Sequence, residues 1–258
     1  MANHVGICRL CGDRGKLQKS HIIPAGIFRH MITDGNGLTL IKKDMPPEPG
    51  KRGNGEYEHL LCQRCEWGLA PYDEYGIKFI RNELGVGFCC MATENTPRLE
   101  YFMGVDIMKL HYFFLSLLWR ISVSTRPFFS SVNLPNSEGM LKRCVEDMVF
   151  SHPLVRQEGF VFSLLRFSNY KDPFALIKNP ELFSVDDHIF CDIYIGPYKV
   201  LIQTDDYIIP TTERARIRTD VMFTTQATIA EIITIEEDSE YERIMAHIDA
   251  SVKAMRGV

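Results

Sequence analysis

Two short cysteine motifs constrain this chain more than any other feature of its sequence. The first hook is Cys8-x-x-Cys11, and the second hook is Cys62-x-x-Cys65. Four thiolates arranged in two such pairs are the ligand set of a closed, tetrahedral structural zinc site. One CxxC pair could arise by chance, whereas two pairs in one N-terminal segment are a strong signal. The sequence therefore predicts one structural Zn²⁺, bound by these four cysteines.

The composition is that of an ordinary globular protein. The 258 residues are 45% hydrophobic and 24% charged, which is enough chain for one large domain or two modest ones. The N-terminus lacks an apolar run after a basic region, and the longest apolar stretch, 110–119, is too short to span a bilayer. We therefore expect a cytoplasmic protein with no membrane partner. Reducing conditions in that compartment favour metal binding over disulfide formation at the hooks.

The distribution of apolar residues predicts an α+β fold in two units. A zinc-binding domain is expected over 1–84, and a larger α+β accessory or recognition domain over 97–258. Apolar residues at helical spacing predict helices over 106–122, 137–150 and 239–255, the first of them buried. Alternating patterns predict strands, antiparallel where they form a hairpin, over 98–105, 160–167, 188–195 and 198–203. A long surface loop is expected over 34–55, which is rich in Gly, Pro and charge.

The segment between the hooks carries a second motif, Ser20-His21-Ile22-Ile23-Pro24, and Glu66 follows the second hook directly. Together with the hooks, this string resembles the zinc-stapled HNH endonucleases of the His-Me finger class. The resemblance covers roughly the first quarter of the chain. It implies a zinc-bound ββα unit of treble-clef type within 1–84, and a metal-dependent endonuclease that hydrolyses phosphodiester bonds, with bacterial anti-phage defence as a plausible role.

Within this resemblance, His21 is the general base that activates water. An imidazole suits this role because its ordinary pKa of about 6.5 leaves it able to accept a proton near pH 7. Two alternatives stay open for His21. It could hydrogen-bond the backbone of the zinc hairpin, or it could replace one thiolate as a zinc ligand.

The sequence departs from the family pattern at three positions. Ser20 stands where a metal-binding Asp is usual, Tyr57 stands where an Asn is usual, and Glu66 replaces the terminal His. Glutamate binds hard cations well, so Glu66 is expected to hold the catalytic Mg²⁺ or Mn²⁺. Asp73 would assist from two turns along a continuous helix, with Glu74 as the neighbouring alternative. The other interpretation of each of these two carboxylates is a solvated side chain on the helix surface. The predicted catalytic residues are His21, Glu66 and Asp73.

The charge is unevenly distributed along the chain. The formal net charge is −4, yet the first 66 residues contain ten Lys or Arg against seven Asp or Glu. The basic residues near the first hook are Arg9, Arg14, Lys16, Lys19 and Arg29. They could contact phosphates, or they could be solvated surface charges. The charge alone does not establish a phosphate-binding patch, and it is the resemblance that implies nucleic acid as the partner, DNA more than RNA.

Two classes of function follow from these observations. The first is the metal-dependent endonuclease, in which the second domain supplies recognition, a protein partner or self-association. The second is a catalytically inactive zinc module that binds nucleic acid or a protein. The departures at Ser20, Tyr57 and Glu66 favour the inactive module, and the retained His-Ile-Ile-Pro favours the nuclease.

Overall fold

The computed structural model describes residues 4–27, 55–85, 87–91, 99–150, 162–167, 178–185, 188–205 and 229–235. In these ranges the chain is α+β, as predicted. Its helices are α1 (Gln63–Ile80), α2 (Ile107–Val123) and α3 (Glu138–Phe150). The predicted helix over 239–255, and nearly all of the predicted loop over 34–55, lie outside the described residues.

A three-stranded antiparallel sheet positions both hooks. Its strands are β1 (Val5–Ile7), β2 (Arg14–His21) and β3 (Tyr57–Cys62), in that spatial order. The first hook lies in the turn after β1, and the second lies at the end of β3. The register pairs Lys19 with His59 and His21 with Tyr57, and it shifts between Leu17 and Lys19. Helix α1 follows β3 without a break, so the second hook spans the join between strand and helix.

The other sheet has seven strands, in the order β4-β5-β10-β6-β9-β8-β7. Their bounds are β4 (Gly87–Met91), β5 (Leu99–Met103), β6 (Phe162–Phe167), β7 (Glu181–Val185), β8 (His188–Ile195), β9 (Tyr198–Gln203) and β10 (Ile229–Ile235). Neighbouring strands are antiparallel except β10 and β6, which are parallel. The predicted hairpin is confirmed as β8 and β9, joined by a turn in which Gly196 has a φ of 57°. That positive φ is a conformation that glycine adopts without steric cost.

Helix α2 lies at the centre of the core. Its side chains are buried on nearly every face, from Ile107 to Val123, and the Asp106 carboxylate caps its start by accepting from the Lys109 amide at 3.0 Å. Helix α1 packs closely on it, since a Cβ placed on Gly76 would lie 2.2 Å from the Phe113 ring. The buried apolar side chains of the N-terminal segment, of α2 and of the larger sheet form one cluster. The division into 1–84 and 97–258 stays a prediction. None of the helices in the described ranges has the length and apolar composition needed to cross a membrane.

Candidate metal centre and adjoining polar network

The four cysteines of the two hooks converge on one point. Their sulfur atoms all lie within 4.8 Å of one another, with Cys8 and Cys65 3.7 Å apart and Cys11 and Cys62 also 3.7 Å apart. Sulfurs bound to one tetrahedral ion at about 2.3 Å would be about 3.8 Å apart, whereas a disulfide requires about 2 Å. The predicted ligand set is therefore assembled as a group that can hold a metal ion. We call it the four-cysteine cluster.

The first hook is a tight turn. The Cys8 amide donates to the Asp13 carbonyl at 2.9 Å, and the Gly12 amide donates to the Cys8 carbonyl at the same distance. Gly12 has a φ of 77°, which explains why a glycine follows Cys11. A further bond from the Arg9 amide to the Leu60 carbonyl, 3.0 Å, ties this turn to β3. The turn therefore presents two sulfurs toward the second hook.

The second hook uses the start of α1. Cys62 precedes the first helical residue, and Cys65 lies fully buried in the first turn. The positive end of a helix dipole favours thiolate over thiol, so this position suits a metal ligand. The Cys65 side chain lowers the pKa of Cys8 to about 4, and the Cys8 side chain in turn raises the pKa of Cys65.

Ser20 and Glu66 connect β2 to α1 just beyond the cluster. The buried Ser20 Oγ accepts from the Leu61 amide at 3.2 Å, and its hydroxyl donates to the Glu66 carboxylate. Burial raises the pKa of Glu66, and the Ser20 hydrogen bond and the nearby Arg120 charge oppose that rise. Glu66 Oε1 is itself buried and has no hydrogen-bond partner among the described residues. A buried carboxylate oxygen that none of the described groups satisfies therefore lies beside the four-cysteine cluster.

Asp73, the third predicted catalytic residue, is bound to Arg120. Its two carboxylate oxygens accept from the Arg120 guanidinium at 2.6 and 2.9 Å. Arg120 also donates to the His21 carbonyl at 3.2 Å and to the Ser116 carbonyl at 3.2 Å. Any role of Asp73 as a cation ligand would therefore require part of this ion pair to open. Arg120 is thus buried against a carboxylate.

His21 lies at the last position of β2. It is directly opposite Tyr57, with ring centroids 6.2 Å apart, and its ring Nε2 is buried. The group of possible metal ligands among the described residues consists of the four thiols and does not include His21. The structure therefore does not place His21 among the possible metal ligands, where it would replace one thiolate.

Tyr57 is anchored through its backbone. Its carbonyl accepts from Arg126 Nε at 2.9 Å and from Nη2 at 2.5 Å, and the Lys19 ammonium lies 3.5 Å from the centre of its ring. The neighbouring Glu58 accepts from the Ser124 hydroxyl and the Thr125 amide, each at 2.7 Å. The sequence does not predict these contacts, because nothing in its local pattern pairs β3 with residues that follow α2.

Comparison with protein families, with curated proteins and with solved structures gives no match to this chain.

Proposed function

We propose that this chain is a zinc-stapled, HNH-like nuclease that hydrolyses phosphodiester bonds of nucleic acid. The observation that carries the proposal is the contact between Ser20 and Glu66. It joins the end of β2, where His21 stands, to the first turn of α1. With zinc as the ion of the four-cysteine cluster, β2, β3 and α1 would form a metal-held ββα unit of treble-clef type. The hooks, the His-Ile-Ile-Pro string and this contact all support the proposal.

In the proposed reaction, His21 accepts a proton from a water molecule while the water oxygen bonds to phosphorus. The bond from phosphorus to the leaving oxygen breaks, and that oxygen takes up a proton from solvent. A divalent cation, Mg²⁺ or Mn²⁺, neutralises charge on the phosphate when it is bound.

Glu66 is the proposed protein ligand for that cation. Buried oxygen acceptors normally have a partner, and Glu66 Oε1 has none among the described residues. A carboxylate oxygen is also the kind of ligand that Mg²⁺ and Mn²⁺ prefer. Asp73 already neutralises Arg120, so we assign the cation to Glu66 and a structural role to Asp73.

The test is to incubate the purified chain with DNA and with RNA, adding Mg²⁺ or Mn²⁺. The wild-type protein should cleave at least one of these substrates. His21→Ala should lower the rate by about 10²–10⁴-fold and leave zinc content and melting temperature unchanged. Glu66→Gln should reduce activity and weaken its dependence on the cation. Glu74→Gln is the matched control, since Glu74 lies on the same helix with an exposed side chain.

Two results would contradict the proposal. A His21→Ala protein that cuts as fast as the parent would show that His21 is not the general base. An active Glu66→Gln protein whose activity depends on Mg²⁺ concentration as the wild type's does would show that Glu66 does not bind the cation.

The second candidate is an inactive zinc module that binds nucleic acid or a protein partner. The observation that favours it is the charge of Arg120 close to Glu66, which acts on Glu66 more strongly than its partner Asp73 does and so opposes binding of another cation there. The same assay separates the two candidates. Binding without cleavage at any Mg²⁺ or Mn²⁺ concentration would support the inactive module.

A further inference from the structure

Strand β1 lies at one edge of the small sheet, and among the described residues no strand pairs with its outer side. The Cys8 amide, just after β1, donates to the Asp13 carbonyl at 2.9 Å. In an antiparallel pair, such hydrogen-bonded positions alternate with positions whose backbone groups point away from the neighbouring strand. The N–H and C=O groups of Val5 and Ile7 therefore point outward. None of these four groups has a hydrogen-bond partner within the described ranges.

The other edge of the same sheet is covered. The Glu56 carbonyl accepts from the Ile22 amide, so the alternation turns the carbonyl of Tyr57 away from β2. Arg126 donates to that carbonyl from Nε at 2.9 Å and from Nη2 at 2.5 Å. β1 has no such cover among the described residues, and it contains neither a proline nor a charged side chain, which commonly keep an edge strand from pairing. Its edge is therefore open to a further strand.

Apolar side chains lie on both faces of this edge. Val5 and Ile7 project on one face and are 63% and 64% exposed. Gly6 lies on the other face, where the Leu17 side chain reaches over it, since a Cβ placed on Gly6 would be 2.8 Å from Leu17 Cδ1. A strand added at this edge would therefore cover apolar atoms on both of its faces.

Two cations share the face of Val5 and Ile7. The register places Lys16 opposite Val5 and Arg14 opposite Ile7, and residues directly opposite each other in antiparallel strands share a face. Both cations are exposed, and neither forms an ion pair within the described ranges. The adjacent carboxylate of Asp13 is bound to an arginine of α1 instead. This face of the edge therefore attracts acidic side chains.

We propose that the free edge of β1 binds an extended, acidic segment of a partner protein, which adds a fourth strand to the small sheet. The outward groups of Val5 and Ile7 supply two donors and two acceptors for the backbone of that segment. The partner strand and β2 would lie about 10 Å apart on either side of β1, a distance that long acidic and basic side chains can bridge together. Glutamates at alternate positions of the segment would therefore reach Lys16 and Arg14. The residues between the glutamates would contact Leu17 on the other face.

Two other occupants match this edge less well. A second copy of the chain, paired through its own β1, would bring no carboxylate to Arg14 and Lys16, because that strand contains none. The phosphates of a nucleic acid would match the two cations, but they carry no donor for the two outward carbonyl groups. The edge lies at the opposite end of β2 from His21, so binding there does not depend on the proposed nuclease activity.

Fluorescence anisotropy of a labelled peptide tests the proposal on the full chain. The probe is a fluorescein-labelled peptide of about eight residues in which glutamate and valine alternate. One control peptide alternates lysine and valine. The other is the first peptide with its glutamate amides N-methylated, because those N–H groups would face β1 when the glutamates lie beside Val5 and Ile7.

The protein variants separate the backbone from the charges. Val5→Pro removes one outward N–H and leaves the inward hydrogen bonds of β1 to β2 in place. Val5→Thr is its matched control, since it keeps the N–H and the branched shape. The charge variant combines Arg14→Ala with Lys16→Ala, and its control combines Lys78→Ala with Lys109→Ala, which removes equal charge from α1 and α2. Thermal melts verify that each variant folds.

The wild type should bind the glutamate peptide and neither control peptide. Val5→Pro should weaken binding about tenfold or more, because it removes a hydrogen bond and places a ring against the incoming strand, whereas Val5→Thr should stay within about threefold. Loss of Arg14 and Lys16 should weaken binding about threefold to tenfold at low salt and by less at high salt, and the charge control should bind as the wild type does.

Several results would overturn the proposal. They include no saturable binding of the glutamate peptide up to about 1 mM, wild-type affinity for the N-methylated peptide, and wild-type affinity in a folded Val5→Pro protein. Without peptide binding, a dimer in sedimentation equilibrium that Val5→Pro abolishes would show that the edge pairs with a second copy instead. Without peptide binding, oligo-dT binding that requires Arg14 and Lys16 would assign these cations to nucleic acid. Peptide binding by a protein that cleaves nothing would support the proposal and refute only the nuclease.

Discussion

Arg120 donates to both carboxylate oxygens of Asp73, at 2.6 and 2.9 Å, and the Arg120 side chain is only 4% exposed. The same guanidinium donates to the His21 carbonyl at 3.2 Å. One residue of α2 thus joins α1 to the end of β2. The position of His21 therefore depends on the packing of these two helices as well as on the four-cysteine cluster.

Removal of Asp73 should destabilise the fold strongly. Asp73→Ala leaves a buried guanidinium without its counter-charge, and breaking a buried ion pair in this way costs about 3–5 kcal/mol in free energy of unfolding. Urea denaturation measures the loss. Glu74→Ala is the control, because Glu74 pairs with Lys78 on the exposed side of the same helix and should leave the midpoint unchanged. Equal midpoints for the two variants would show that the Asp73–Arg120 pair does not hold the helices together.

Gly76 should tolerate no side chain. A Cβ at this position would lie 2.2 Å from the Phe113 ring, so Gly76→Ala should force α1 away from α2 and lower the free energy of unfolding by about 1–3 kcal/mol. Gly139→Ala on α3 is the matched control, since nothing lies within 4 Å of its added Cβ. The control should be neutral or slightly stabilising because alanine favours helix. Thermal melts of the two variants decide the point, and a Gly76→Ala protein as stable as the control would contradict the packing described.

His111 should make the protein sensitive to mild acid. It is 7% exposed, and burial lowers its pKa to about 4. An unfolded chain takes up this proton near pH 6.5, whereas the folded chain does not, so stability is complete above pH 6.5 and falls as the pH drops toward 4. The loss attributable to His111 should reach about 3 kcal/mol. His111→Leu, which has no titrating group, should lose less free energy of unfolding between pH 7 and pH 4 than the wild type. Identical pH profiles for the two proteins would refute this.

The parts of the fold that the sequence predicts are those with a local repeating pattern. The apolar spacing of α2 predicted a helix over 106–122, and the structure has Ile107–Val123. The strands His188–Ile195 and Tyr198–Gln203 match their predicted bounds. Pro71 and Gly76 lower the helix propensity of the segment after Cys65, yet α1 is continuous. Side chains are buried along the whole helix, and the Phe113 ring packs against Gly76. This packing outweighs the low helix propensity of the two residues.

Contacts between distant segments are the parts that the sequence did not predict. Strand β10 lies between β5 and β6, so its neighbours come from more than 60 residues away in the chain. The contact of Ser20 with Glu66 depends on the register of β2 and β3, including its shift between Leu17 and Lys19. Local periodicity contains no information on such pairings. The pairing of the two hooks is an exception, because a tetrahedral metal site needs four ligands and each hook supplies two of them.

The metal content of the chain, purified without chelator, tests the central claim most directly. We predict one zinc per chain, with an X-ray absorption spectrum that fits four sulfurs at about 2.3 Å. Cys65→Ser should abolish binding and unfold the N-terminal segment, because the free energy of metal binding is there also free energy of folding. Protein without zinc, or a coordination shell that contains nitrogen, would contradict an ion held by Cys8, Cys11, Cys62 and Cys65.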